Sequence, residues 1–193
     1  MPATLVAQAV ALASAAGVSI YATVAMLGLA GRFGWIDALP SALAGVTAWW
    51  VIALAATLYT VEFLATLIPG VASAWETIHS AVRPLAGAAL AAGTAWQGDP
   101  TVTLVAALLG GTLALGTQTT KLGARVTIDA SPEPFTNGAA NVAELGFVAT
   151  ITLLVWDHPW VALALAVATL VLVALLVRAA WRALRSLFGT RRS

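Results

Sequence analysis

The 193-residue chain is 61% hydrophobic and only 9% charged, with nine basic and eight acidic side chains and a formal net charge of +1. Soluble domains carry roughly 25% charged residues, so a soluble globular domain is excluded. With no cysteine, disulfides and thiolate metal sites are excluded too.

In chain order, apolar stretches fall at about 3–31, 41–67, 72–96, 101–125, 137–156 and 160–186. Each is bounded by Pro, Gly or charge, and runs of twenty residues match the roughly 30 Å hydrocarbon layer. Period-two alternation, which a membrane barrel requires, is absent. The expected fold is therefore an all-α, polytopic integral membrane protein of about six helical segments. The first run begins at Leu5 with no Lys or Arg before it, so it lacks the basic n-region of a cleaved signal peptide and is expected to be a retained span. The third carries Glu76, His79, Arg83 and Pro84, which leave too few clean residues to cross alone and predict a broken or re-entrant helix. The last runs into Arg178, Arg182, Arg185, Arg191 and Arg192. Residues 188–193 are expected to be a basic tail, cytoplasmic by the positive-inside bias.

The two halves resemble one another. Leu29-Ala30-Gly31-Arg32 precedes Ile36-Asp37-Ala38-Leu39-Pro40, and Leu122-Gly123-Ala124-Arg125 precedes Ile128-Asp129-Ala130-Ser131-Pro132. Further on, Glu62 leads to Trp75-Glu76 and His79, while Glu144 leads to Trp156-Asp157-His158. Three helices per copy, residues 1–97 and 98–187, predict an inverted repeat with a pseudo-two-fold axis in the membrane plane.

A charge at the bilayer centre costs on the order of 2.5–3.5 kcal/mol on insertion scales, so it is kept where it is paired or faces water. On this ground Glu62, Glu144, Lys121, Arg125 and Gln118 are the candidate substrate or ion pathway. Lys121 and Arg125, four apart, share a helix face with Gln118 close by. The structural alternative has Lys121 snorkelling to the interface and Arg125 ending the span. Asp37 and Asp129 precede prolines and are expected to cap the next helix, with a salt bridge to Arg32 or Arg125 as the variant. "SPEPFTN", with Glu133 and Asn137, reads as a turn into a helix.

His79 and His158, with Glu76 and Asp157, raise a metal hypothesis, but no pair has the i, i+4 spacing of a helical motif. No metal or cofactor is expected, and both histidines, each near a tryptophan, are expected at the headgroup belt. No catalytic motif is present, so an enzyme is not expected.

"IPGV", Trp75 followed by an acid, His79, "RPLAG" from Arg83, the Lys121 and Arg125 pair, and "SPEPFTN" followed by Glu144 together resemble the bacterial membrane proteins grouped as domain of unknown function family 4126. The resemblance runs from about Gly17 to Pro159. It implies a helical protein of the bacterial inner membrane and no particular substrate. Relatives usually resemble "DKIPGVD" and carry an acidic pair after the turn, where this chain has Thr66, Leu67, Ala72 and Leu145.

Two functions compete. One is a small transporter or channel for an ion or small anionic solute. The other is an accessory or scaffold subunit of a larger membrane complex. Membrane lipids are the expected partners, association with a second copy or a larger complex stays open, and no nucleic acid is expected.

Overall fold

The computed structural model describes the backbone of residues 2–36, 39–68, 71–129 and 134–189, and their side chains except at 2, 73, 126–129, 134–135 and 183–189. All regular structure among the described residues is helical: α1 (Pro2–Val18), α2 (Ile20–Arg32), a 3-10 helix (Ser41–Thr47), α3 (Trp49–Thr66), α4 (Val71–Thr94), α5 (Pro100–Asp129), α6 (Pro134–Asp157) and α7 (Pro159–Gly189).

The first apolar run, expected as a single span, is two helices. Ser19 between them is extended (φ −152°, ψ 111°) and its hydroxyl accepts from the Ala22 N–H at 3.2 Å, so a serine N-cap starts a new helix inside an apolar stretch. At 17 and 13 residues, α1 and α2 rise only about 25 and 20 Å at 1.5 Å per residue. Their outer ends lie at one end of the bundle: Leu5 approaches Gly98 in the α4–α5 link, and Arg32 sits 4.9 Å from the ring centroid of Trp49 at the start of α3. The pair is a helical hairpin with Ser19 at its tip. The interruption expected in the third segment falls here instead. That third segment, α4, is one 24-residue helix that runs through Pro84.

Helix α1 sits at the centre, against α2, α4, α5, α6 and α7. Ala7, Ala9, Ala11, Ala13, Ala15 and Ala16 are all buried, as expected of a helix that is apolar all round. Small side chains let backbones approach closely. Gly110 of α5 faces Ala91 of α4 and Ala13 of α1, and a β-carbon at Gly17 would stand 2.6 Å from the Ala114 carbonyl oxygen of α5. Asp99 opens α5 by accepting from the Thr101 N–H at 2.7 Å, which holds its carboxyl below the ordinary value.

The exterior is apolar. Leu104, Leu108 and Leu109 on α5 and Leu172, Leu175 and Leu176 on α7 are exposed, while Glu62, Glu76, Arg83, Lys121 and Arg125 are buried. That inversion suits lipid as the solvent. Among the described residues four helices are long and apolar enough to cross a membrane: Trp49–Thr66, Pro100–Arg125, Thr136–Asp157 and Pro159–Arg182. The chain is thus a membrane-spanning helical protein.

Candidate functional site

The tip of the α1–α2 hairpin meets a cluster of ionised side chains drawn from four helices. Arg83 of α4 is completely buried and pairs with Glu62 of α3 and, at 2.5 Å, with Glu76 one helical stretch earlier. Lys121 of α5 reaches Glu76 at 3.2 Å, Glu62 at 3.5 Å and Glu144 of α6 at 2.9 Å. Arg125, one turn beyond Lys121, pairs with Glu144 at 2.9 Å. Three carboxylates face three cations, so the cluster is neutral as a whole. Gln118 completes it: its side-chain oxygen accepts from Arg83 and its amide donates to Glu76 at 3.1 Å.

Both new helix ends at the break point into this cluster. The Val18 carbonyl, at the C-terminus of α1, accepts from Lys121 Nζ at 2.8 Å. Ser19, at the N-terminus of α2, donates its hydroxyl to Glu62 at 2.5 Å. Each fractional helix charge therefore meets a side chain of opposite sign. Thr23, one turn into α2, folds its hydroxyl back onto the Ser19 carbonyl oxygen at 2.8 Å.

Two polar flanks extend the cluster. On one, Arg125 donates to Asn141 and, at 3.3 Å, to Asn137 of α6, and the Asn141 amide donates to Thr66 at 2.9 Å and to the Phe63 carbonyl at 3.3 Å. On the other, His79 donates from Nδ1 to the Trp75 carbonyl at 2.7 Å, pairs through Nε2 with the Tyr21 hydroxyl at 2.9 Å, and stacks on Trp75 with ring centroids 4.5 Å apart. A cavity of about 230 Å³ adjoins the cluster between α5, α6 and α7, with Lys121, Arg125 and Glu144 among its lining residues.

All five pathway candidates, Glu62, Glu144, Lys121, Arg125 and Gln118, come together here. Lys121 and Arg125 are buried inside the bundle and do not snorkel to the interface. His79, expected at the headgroup belt, is buried beside the cluster because its two ring nitrogens find partners there, whereas His158 is exposed between α6 and α7. Arg83, read only as part of a structural motif, is the central cation. Asn137 is more than a helix-entry residue, since it holds Arg125. Asp37 and Glu133 lie outside the described residues, and Asp129 ends α5 with its side chain outside them. Among the described residues no group of three His, Asp or Glu side chains could hold a metal.

Asn141, Thr66, Ser19 and Tyr21 are contacts the sequence reading missed. Asn137, Asn141 and Glu144 recur at i, i+4 and i+7, and that polar stripe on an apolar helix was the available signal.

No curated protein and no solved structure matches the chain. The family described as domain of unknown function (DUF4126) matches residues 6–179. The arrangement of ions inside an apolar helical shell thus has a family to attach to, and the chain belongs to DUF4126.

Proposed function

We propose that the protein is a small transporter or channel for an ion or small anionic solute, with its site at the hairpin tip. The observation that carries it is the broken helix: the α1 carbonyl end binds Lys121 and the α2 N-terminal end binds Glu62 within a buried charge cluster. Interrupted helices whose ends face charged groups at membrane depth are how many transport folds build an ion or solute site. The cluster holds six of the chain's nine basic and eight acidic side chains. Buried ion pairs are weak sources of stability that well-packed apolar residues often match or exceed, so their retention favours a functional use.

The inverted repeat, with 1–97 and 98–187 as its copies, is part of this proposal in its charged positions and not in its helix count, since among the described residues 1–97 folds as four α-helices where three were expected and 98–187 as three. Glu62 and Glu144, equivalent in the two copies, both pair with Lys121, which supports it. The basic C-terminal end is assigned to the cytoplasmic side of a bacterial inner membrane, from the arginines that follow Arg178 and the positive-inside bias.

Flux into proteoliposomes tests the proposal, with labelled chloride, acetate and phosphate as solutes and a pH-sensitive dye for protons. Wild-type protein moves at least one of these, and Glu144→Gln and Lys121→Ala reduce that flux. Movement of none, or full flux in both variants, contradicts transport. The accessory-subunit reading is favoured by α7, whose span is only 11% buried and so has room for a partner helix. Purification in mild detergent separates the two: a stoichiometric partner protein supports the subunit, and a species containing this chain alone supports transport.

A further inference from the structure

We propose that the cavity between α5, α6 and α7 binds a small amphiphilic monocarboxylate, with its carboxylate at Lys121 and Arg125 and its alkyl chain along α7. This names the solute class of the site proposed above and rests on that reading only for what happens to the ligand after it binds.

Three features of the cavity point to that chemistry. Its walls are apolar, built from Ala140 and Phe147 of α6 and Ala166, Leu170 and Val173 of α7. The α5 and α6 backbones stand apart, bridged by side chains, while α7 packs against both, and so the space between them is bordered by an aliphatic face. Its polar end is different. Lys121, Arg125 and Glu144 line it, two cations against one carboxylate. Glu62 and Glu76, which are shared by Arg83 and Lys121, do not line the cavity. An anionic head group placed at that end would meet two cationic side chains.

The third feature is a free donor. Arg125 is 3% exposed and its Nε is buried with no hydrogen-bond partner, while its terminal nitrogens serve Asn137, Asn141 and Glu144. A buried guanidinium donor with no acceptor is costly, and a carboxylate oxygen is the acceptor that its geometry fits best. At about 230 Å³ the cavity is smaller than the roughly 300–1,000 Å³ that hold drug-sized ligands. That size suits one short alkyl chain.

Equilibrium binding of labelled decanoate to the full-length protein in lipid nanodiscs, with empty nanodiscs subtracted for partition, tests the assignment. Decanoate binds saturably. Decanol, with the same chain and no charge, competes roughly tenfold or more weakly, as expected for loss of charge-assisted hydrogen bonds. Acetate, with the charge and no chain, does not compete in the same range. Thr169→Phe, which places an aromatic ring in the cavity from a half-buried α7 position away from the ion pairs, abolishes binding, and Thr169→Val keeps it. Equal competition by decanol and decanoate, tighter binding of decyl phosphate, or unchanged decanoate binding in a folded Thr169→Phe protein would overturn the assignment. The decanol comparison uses wild-type protein, so it decides the matter even where the Phe variant fails to fold. Binding is read without a gradient: decanoate bound but no solute moved overturns transport alone, and solute moved without decanoate binding overturns this ligand alone.

Discussion

Lys121 Nζ lies 2.8 Å from the main-chain oxygen of Val18, a residue 103 positions earlier in the chain. That oxygen is free to accept because α1 stops there and Ser19 begins a new helix. The cation therefore recognises an interruption in a helix as well as the carboxylates Glu62, Glu76 and Glu144. Local backbone geometry and the long-range charge cluster depend on each other.

Ser19 holds both sides of that relationship, through Ala22 and Glu62. Ser19→Ala removes the cap, worth about 0.5–2 kcal/mol, and leaves Glu62 short of a donor. A lower unfolding temperature in detergent is expected, with Ser19→Thr closer to wild type because its hydroxyl can serve the same cap. An unchanged melting temperature in Ser19→Ala would show that the break is held by something else.

Arg83 is fully buried between two carboxylates. Arg83→Met strands Glu62 and Glu76 as buried, partly uncompensated carboxylates, a loss of roughly 3–5 kcal/mol. Adding Glu62→Gln and Glu76→Gln to Arg83→Met removes the stranded charge, and the triple variant is expected to be more stable than Arg83→Met alone. Additive losses across the three substitutions would mean that they do not act as one network.

Glu144 differs from Glu62 in being reachable: its side chain is 23% exposed and that of Glu62 is 4%. Glu144→Gln is therefore expected to cost less stability than Glu62→Gln in the same detergent, while still lowering solute flux. A Glu144→Gln protein as unstable as Glu62→Gln would place Glu144 among the structural ions.

At Gly17, α1 and α5 lie in close contact. A methyl group there meets the Ala114 carbonyl oxygen at 2.6 Å and its α-carbon at 2.8 Å, main-chain atoms that move only with their helix. Gly17→Ala is expected to destabilise by about 1–3 kcal/mol, the usual cost of overpacking, measured by thermal unfolding. At Gly116, where a β-carbon meets nothing within 4 Å, the same substitution is expected to be neutral or slightly stabilising.

Much of the site was legible because intramembrane charge is scarce. Glu62, Glu144, Lys121, Arg125 and Gln118 stood out against apolar neighbours, and the structure gathers them. Arg83 was harder to rank. It shares its segment with Glu76, His79 and Pro84, a combination that suggested a broken or re-entrant helix, yet α4 continues through the proline. The real break was concealed because residues 3–31 contain no proline and no charge before Arg32, and a serine between Val18 and Ile20 is compatible with a continuous helix. Only tertiary partners, Lys121 for the freed carbonyl and Glu62 for the hydroxyl, make the interrupted form the better one. The repeated Ile-Asp-Ala was legible as sequence but not as structure: Arg32 stacks on Trp49 at one end of the bundle, while Arg125 is buried in the cluster.

The central claim is that the cluster at the hairpin tip lies on a path for solute, and solvent access measures this without knowing the solute. The chain has no cysteine, so Ala140→Cys or Thr169→Cys, both at the cavity, gives a single reporter on a silent background. In oriented proteoliposomes, a membrane-impermeant thiol reagent added on one side or the other is predicted to label at least one of these positions, and excess decanoate is predicted to slow the labelling. A thiol at both positions that reacts with a small membrane-permeant reagent but with the impermeant one from neither side would contradict the account.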